Sequence, residues 1–363
     1  MNHPISWLCA VPLILLAAGP AQAADEAAFA TIAERAVINV IRPGYDRLAA
    51  TSATMTETMS ALCGDPAPVT LTAARSRFGD LVRDWSAVEL IRFGPVRDEN
   101  RFERIFFWPD RKGIGLRQVQ AALAERDTAL LDPAALAARS VAMQGLGALE
   151  FALFGDGAET LAATSPDEQY RCRFGSTVAR TIAGNAADIA AAWRSEDGFA
   201  RLMREPGDDN PVFRTSEEVL RQLIGAMTQQ LEFVRDTKLT SALGTTPAEA
   251  KPQRVPFWRS GLALPAMRAN IESVRGLFNR AEMTSALNAE TRWIAEQFDF
   301  EIGNAVGALG RVGRPFVEAA VLPESHELML FSRVPMAAAQ QLLSTGYAGA
   351  TGLTLGFNAL DGD

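Results

Sequence analysis

The 363-residue sequence predicts an all-α fold, and three observations carry that prediction. Apolar residues recur at steps of three and four through most of the chain, the spacing that lines one face of a helix. Long runs of strand-type alternation are missing, and β-branched residues are few. Helix-start residues punctuate the periodic stretches: Asp132-Pro133, Ser165-Pro166-Asp167, and Thr215 or Ser216 with Glu218.

The elements follow in order. Residues 1–23 read as a secretory signal peptide, because Leu8 to Ala18 is apolar but too short to span a bilayer and Ala21-Gln22-Ala23 is a small-residue cleavage site. The mature chain is then expected to begin at Ala24, with about 340 residues, enough for one large or two ordinary domains. Glu26 to Leu62 has helical spacing, with a break expected where Ile38-Asn39-Val40 runs into Pro43. A second long helix covers Leu71 to Ile91, with Thr70 or Thr72 near its N-cap. Asp132 followed by Pro133 opens the helix that carries Glu150. Further helices are read over Glu168–Arg194, from Thr215 or Ser216 to about Thr237, and over Leu262–Phe278, Asn288–Ala308 and Glu324–Ser344. Glu205–Pro211 and Gly244–Pro256 are candidate linkers, and Ala163–Asp167 is a shorter break.

The formal charge of -8 does not change when the leader is removed, and an acidic surface argues against nucleic acid and anionic lipid as partners. No later run reaches membrane-spanning length, so no insertion is expected after cleavage. Cys63 and Cys172 are the mature cysteines. In an oxidising periplasm one disulfide is their simplest fate, and two separate thiols are the alternative.

Gly145 to Gly155, GLGALEFALFG, carries the main signal. Ala142, Leu146, Leu149 and Leu153 fall on one helical stripe, and Met143, Gly147, Glu150 and Phe154 on the next. Glu150 is thus a carboxylate on a helix with hardly any polar face, and a buried carboxylate needs a partner or a raised pKa. Gly147, one turn earlier, either permits close packing or leaves space.

This segment resembles the signature of the imelysin family, also called imelysin-like or iron-regulated periplasmic proteins. The signature runs Gly, any residue, His, two residues, Glu, then a hydrophobic tail ending in Gly. Gly145, Glu150 and Gly155 match it, while Gly147 stands where the family has His. Three more stretches look like family sequence: FGPVRDENRFERIFFWPDR (Phe93 to Arg111), PFWRSGL (Pro256 to Leu262) and LGFNALDGD (Leu355 to Asp363). The resemblance implies two helical-bundle halves with a cleft between them, divided as 24–165 and 166–363. It implies a periplasmic, non-enzymatic binding protein linked to iron or other metal acquisition. It also leaves open a peptidase and a metal-free module that binds a small ligand or a protein, with a partner in an uptake system.

In the family pattern, His and Glu at i and i+3 share a helix face, as metal-holding pairs in bundles do. Without the His, an oxygen-only site would suit iron or calcium. By resemblance, the ligand candidates are Glu150, Asp98, Glu103 and Asp110, and the cleft candidates are Arg97, Arg101, Trp108 and Gly147. The competing reading pairs Glu150 with Arg97 or Arg101 as a structural ion pair. Phe257, Trp258 and Arg259 could line a cleft, though aromatics so spaced are more often core. Asn358, Asp361 and Asp363 read by default as a solvated tail. His326 is the only mature histidine and reads as a surface residue near a helix start, so neither a zinc peptidase site nor a Ser-His-Asp triad finds support.

Overall fold

The computed structural model describes residues 20–163 and 165–353, with no strand among them. Residues 1–19, most of the expected signal peptide, and the C-terminal LGFNALDGD stretch with Asn358, Asp361 and Asp363 lie outside the described residues. The longer helices are α1 (Pro20–Ala36), α2 (Arg42–Gly64), α3 (Pro68–Val88), α4 (Ile114–Glu125), α5 (Gly145–Phe154), α6 (Pro166–Arg194), α7 (Ser216–Glu232), α8 (Ala263–Arg280), α9 (Trp293–Arg311) and α10 (Pro323–Gln341). No described helix is long and apolar enough to cross a membrane.

Local chemistry sets these boundaries. The break expected before Pro43 is a widened π turn, Val37–Ile41, through which α1 runs directly into α2. A π turn absorbs one extra residue without exposing backbone, so Pro43 can enter in the first turn of α2, where its missing N–H has no role. Helix α3 starts earlier than expected, with Pro68 at its first position and Thr70 Oγ1 accepting the Ala67 N–H at 3.1 Å. Thr215 caps α7 by accepting the Glu218 N–H at 3.3 Å, while the Glu218 carboxylate accepts the Arg214 N–H at 2.7 Å, a reciprocal pair that closes the helix start.

Two four-helix groups result. Helices α2, α3, α5 and α6 pack on one another, and α7, α8, α9 and α10 form the second group. The groups meet where α3 lies against α8. The division near residue 165 differs from this packing at both ends. Helix α6 belongs with α2 and α5, while α1 packs on α7, with the Glu26 carboxylate accepting the Ser216 N–H at 2.5 Å. The α1 crossing ties the N-terminal helix to the second group. Cys63, at the end of α2, is bonded to Cys172 in α6, closing a loop of 109 residues inside the first group.

Candidate functional site

The helix bearing Glu150 is shorter than the sequence suggests. Asp132 does cap a helix, accepting the Ala135 N–H at 2.8 Å, but that helix ends at Ala137. A separate 3-10 turn, Val141–Met143, intervenes, and α5 starts afresh at Gly145. Gly145 is the reason. Its φ is +73°, and a Cβ there would sit 2.6 Å from the Arg104 carbonyl oxygen and closer still to that of Ile105. The chain enters α5 against another backbone, which only glycine allows.

Helix α5 is buried on nearly every side, with Leu146, Leu149 and Leu153 fully enclosed. Glu150 is 5 % exposed and finds its partner in PFWRSGL: its Oε1 accepts the Ser260 N–H at 2.9 Å and the Ser260 hydroxyl at 2.8 Å. Burial pushes the Glu150 pKa up, while the Ser260 bonds and the nearby Arg259 charge pull the other way. Arg97 and Arg101 take no part in this. Arg101 instead sits within 3.6–3.9 Å of Asp98, Glu99 and Asp188. Arg97 and Asp98 are cut off from the short helix Arg101–Ile105, because Glu99 and Asn100 both adopt left-handed backbone, φ 52° and 56°.

Phe257 holds the turn that reaches Glu150. It is 2 % exposed yet has φ +60°, a costly conformation for a bulky residue. Its ring stacks on Phe106 at 5.1 Å and meets Phe78 edge-on at 6.3 Å. Its carbonyl accepts the Leu262 N–H at 3.0 Å and the Ser260 hydroxyl at 3.2 Å. Aromatic packing thus compensates the backbone strain and aims Ser260 at Glu150. The ring seam continues from Phe106 to Trp108 and from Trp108 to Phe233.

Above Glu150 lies a cavity of about 620 Å³. Its walls come from the extended segment around Phe106–Asp110, the start of α4, α5, the turn at Thr237–Ser241 and the segment Gln253–Arg259. Glu150, Asp110, Trp108 and Gly147 line it, together with Phe257, Trp258 and Arg259, whereas Asp98, Glu103, Arg97 and Arg101 do not. A Cβ on Gly147 would meet nothing within 4 Å, so this glycine leaves space and is not there for helix packing.

The carboxylates that reach the cavity do not form a metal site. Asp110 receives the Ile114 N–H on one oxygen at 2.7 Å and the Gly115 N–H on the other at 2.8 Å, which fixes it as the cap of α4. The more strongly engaged oxygen of Glu150 already holds two donors from Ser260. Among the described residues no group of three or more His, Cys, Asp or Glu side chains could hold an ion. The residues present therefore do not fit a resident iron or calcium.

Behind Phe106 sits a buried polar cluster that the sequence does not announce. Lys238 and Glu89 are both wholly buried and 2.6 Å apart. Asn270 accepts from Lys238 Nζ at 2.7 Å and donates to Glu89 at 2.9 Å and to the Ser86 carbonyl at 2.8 Å. Lys238 lies in a π turn, Phe233–Thr240, and its ammonium is 5.5 Å from the ring centres of Phe106 and Phe233. Burial lowers its pKa, and Glu89 opposes that shift. Such a lysine hides among helix residues in sequence; a π turn beside the cavity shows only in three dimensions.

His326 is buried, 1 % exposed, rather than on the surface. Its Nε2 lies 3.2 Å from the Leu243 carbonyl, which can only accept, so that nitrogen carries the proton. The histidine serves as a strut between α10 and the end of the Phe233–Leu243 segment.

The fold and the cleft define a class: an all-helical double bundle with an aromatic cavity over a buried glutamate. The family model for imelysin, labelled peptidase M75, matches residues 41–332, and the chain belongs to the imelysin family. It is similar to the crystal structure of an imelysin-like protein from Psychrobacter arcticum 273-4, with TM-score 0.76 and 17 % identity over 92 % of this chain and 98 % of that one. It is also similar to a structure described as an iron-regulated protein A precursor from Parabacteroides distasonis ATCC 8503, with TM-score 0.71 and 14 % identity over 89 % and 95 % of the two chains. No curated protein matches.

Proposed function

We propose that this imelysin-family protein is a binding protein for a small organic molecule, held in the cavity above Glu150. One observation carries the reading: a cavity of about 620 Å³ that presents six aromatic side chains and whose carboxylates already have protein partners. That volume lies in the range of small-molecule sites, and aromatic and apolar walls interrupted by placed polar groups are their usual make-up. The open face at Gly147 gives the ligand room against the first turn of α5. Periplasmic placement rests on the leader-like residues 1–23 and agrees with the Cys63–Cys172 disulfide.

A link to iron has the family and the iron-regulated neighbour in its favour, although that name speaks of regulation. An uptake role fits this reading if the cargo is organic. A peptidase role has the family label for support. Native mass spectrometry of the protein purified from its expressing cells tests the proposal. A bound organic mass should appear with wild type and vanish with Gly147→Phe, which fills the cavity from a position free of contacts. A mass that survives Gly147→Phe would place the ligand elsewhere.

A further inference from the structure

The cavity's aromatic walls raise the question of which charge it accepts. Aromatic faces with a carboxylate nearby commonly recognise cations. Here that seat is filled by the protein itself. The Arg259 guanidinium lies over Trp258, 4.2 Å from the ring centre, and 5.2 Å from that of Phe151. The two carboxylates are engaged as described, Asp110 by the start of α4 and Glu150 by Ser260. Arg111 and Arg254 also line the cavity, and neither they nor Arg259 form a salt bridge among the described residues. In a chain of net charge -8, three guanidinium groups outnumber the two carboxylates, Asp110 and Glu150, around this cavity.

We propose that the cleft selects a small aromatic carboxylate, its ring against Trp108, Phe257 and Trp258 and its anionic end toward Arg254 and Arg259. The inference rests on the cavity being a ligand site at all. The physical fit is specific. A guanidinium edge donates two parallel N–H groups that match a carboxylate, and stacking on Trp258 orients that edge while leaving its donors free. The flat rings supply area without requiring the ligand to bend. A bare cation would face three guanidinium groups and two carboxylates whose hydrogen bonds go to Ser260 and the start of α4.

Calorimetric titration with 2-naphthoate and with its neutral analogue 2-naphthamide tests this. Wild type should bind 2-naphthoate at one site per chain, at least about tenfold more tightly than 2-naphthamide, as charge-assisted bonds to a guanidinium warrant. Arg254→Gln, at an exposed position, should weaken 2-naphthoate about tenfold and leave 2-naphthamide unchanged. Arg259→Lys, which keeps the charge but loses the planar fork, should weaken it as well. Equal affinity for the two probes, unaltered by Arg254→Gln, would overturn anion selection while leaving the ligand-site reading intact. Failure of both probes to bind wild type would count against both.

Discussion

At the scale of single residues, two glycines in one short helix have opposite reasons to exist. Gly145 enters α5 with φ +73° against the carbonyls of Arg104 and Ile105, so Gly145→Ala should destabilise by more than about 1–2 kcal/mol. Gly147 lies in an ordinary helical turn facing open space, so Gly147→Ala should stabilise by about 0.5–1 kcal/mol. Urea denaturation of both variants checks the contrast, and a loss of stability in Gly147→Ala would mean that something packs there. Glu150 gives a prediction in pH. Its pKa is raised in the folded state, so the native protein holds the proton after the unfolded chain has released it. The stability linked to that proton is complete below the unfolded value of about 4.3 and declines as pH rises toward the folded one. Glu150→Gln keeps an oxygen for Ser260 and cannot ionise. The melting temperature of Glu150→Gln relative to wild type should therefore climb as pH rises above about 4.3. A flat difference would show that the Ser260 bonds and Arg259 cancel the burial. Glu150 and its need for a partner were legible in the sequence, because an acid flanked by Leu149, Phe151 and Leu153 sits on a helix with hardly any polar face. The partner was not. Ser260 is 110 residues away, and nothing in PFWRSGL marks a phenylalanine forced to positive φ.

At the scale of elements, the π turn Phe233–Thr240 joins the two bundles through chemistry. Lys238 reaches Glu89 just past the end of α3 and Asn270 in α8, where the two helix groups meet. Removing Lys238 leaves the buried Glu89 carboxylate without its closest cation, with only Arg92 at 3.4 Å and the Asn270 amide to face it. Lys238→Met should thus cost about 3–5 kcal/mol, whereas Lys238→Met with Glu89→Leu should recover most of that loss. A chemical-denaturation cycle of the four proteins decides it, and a single substitution that costs under about 1 kcal/mol would refute the role. Helix spans were largely readable from spacing and caps, as Thr215 with Glu218 illustrates. The exception has a clear cause. Gly145 splits the helix read from Asp132 onward, because the carbonyls of Arg104 and Ile105 decide backbone geometry there.

At the scale of the whole molecule, the disulfide braces the first bundle and the crossing of α1 ties it to the second. The Cys63–Cys172 bond closes 109 residues, so replacing both cysteines by serine should cost about 4–5 kcal/mol in the chain-entropy account. Guanidinium unfolding of the variant against oxidised wild type measures it. The all-α class, the family and the cysteine pair were all accessible from sequence, since periodicity and motif survive in one dimension. Which helices share a bundle was not, because α1 and α6 each pack across the sequence division near residue 165. The cleft gathers segments from residue 106 to 259, and its central claim is that an organic ligand sits there. The most direct measurement is a crystal structure of the protein with 6-bromo-2-naphthoate, recorded at the bromine edge. A bromine peak inside the cavity, with the carboxylate facing Arg254 or Arg259, is the predicted result. A cavity without bromine, in crystals that instead show an iron-edge peak on Glu150, would contradict it.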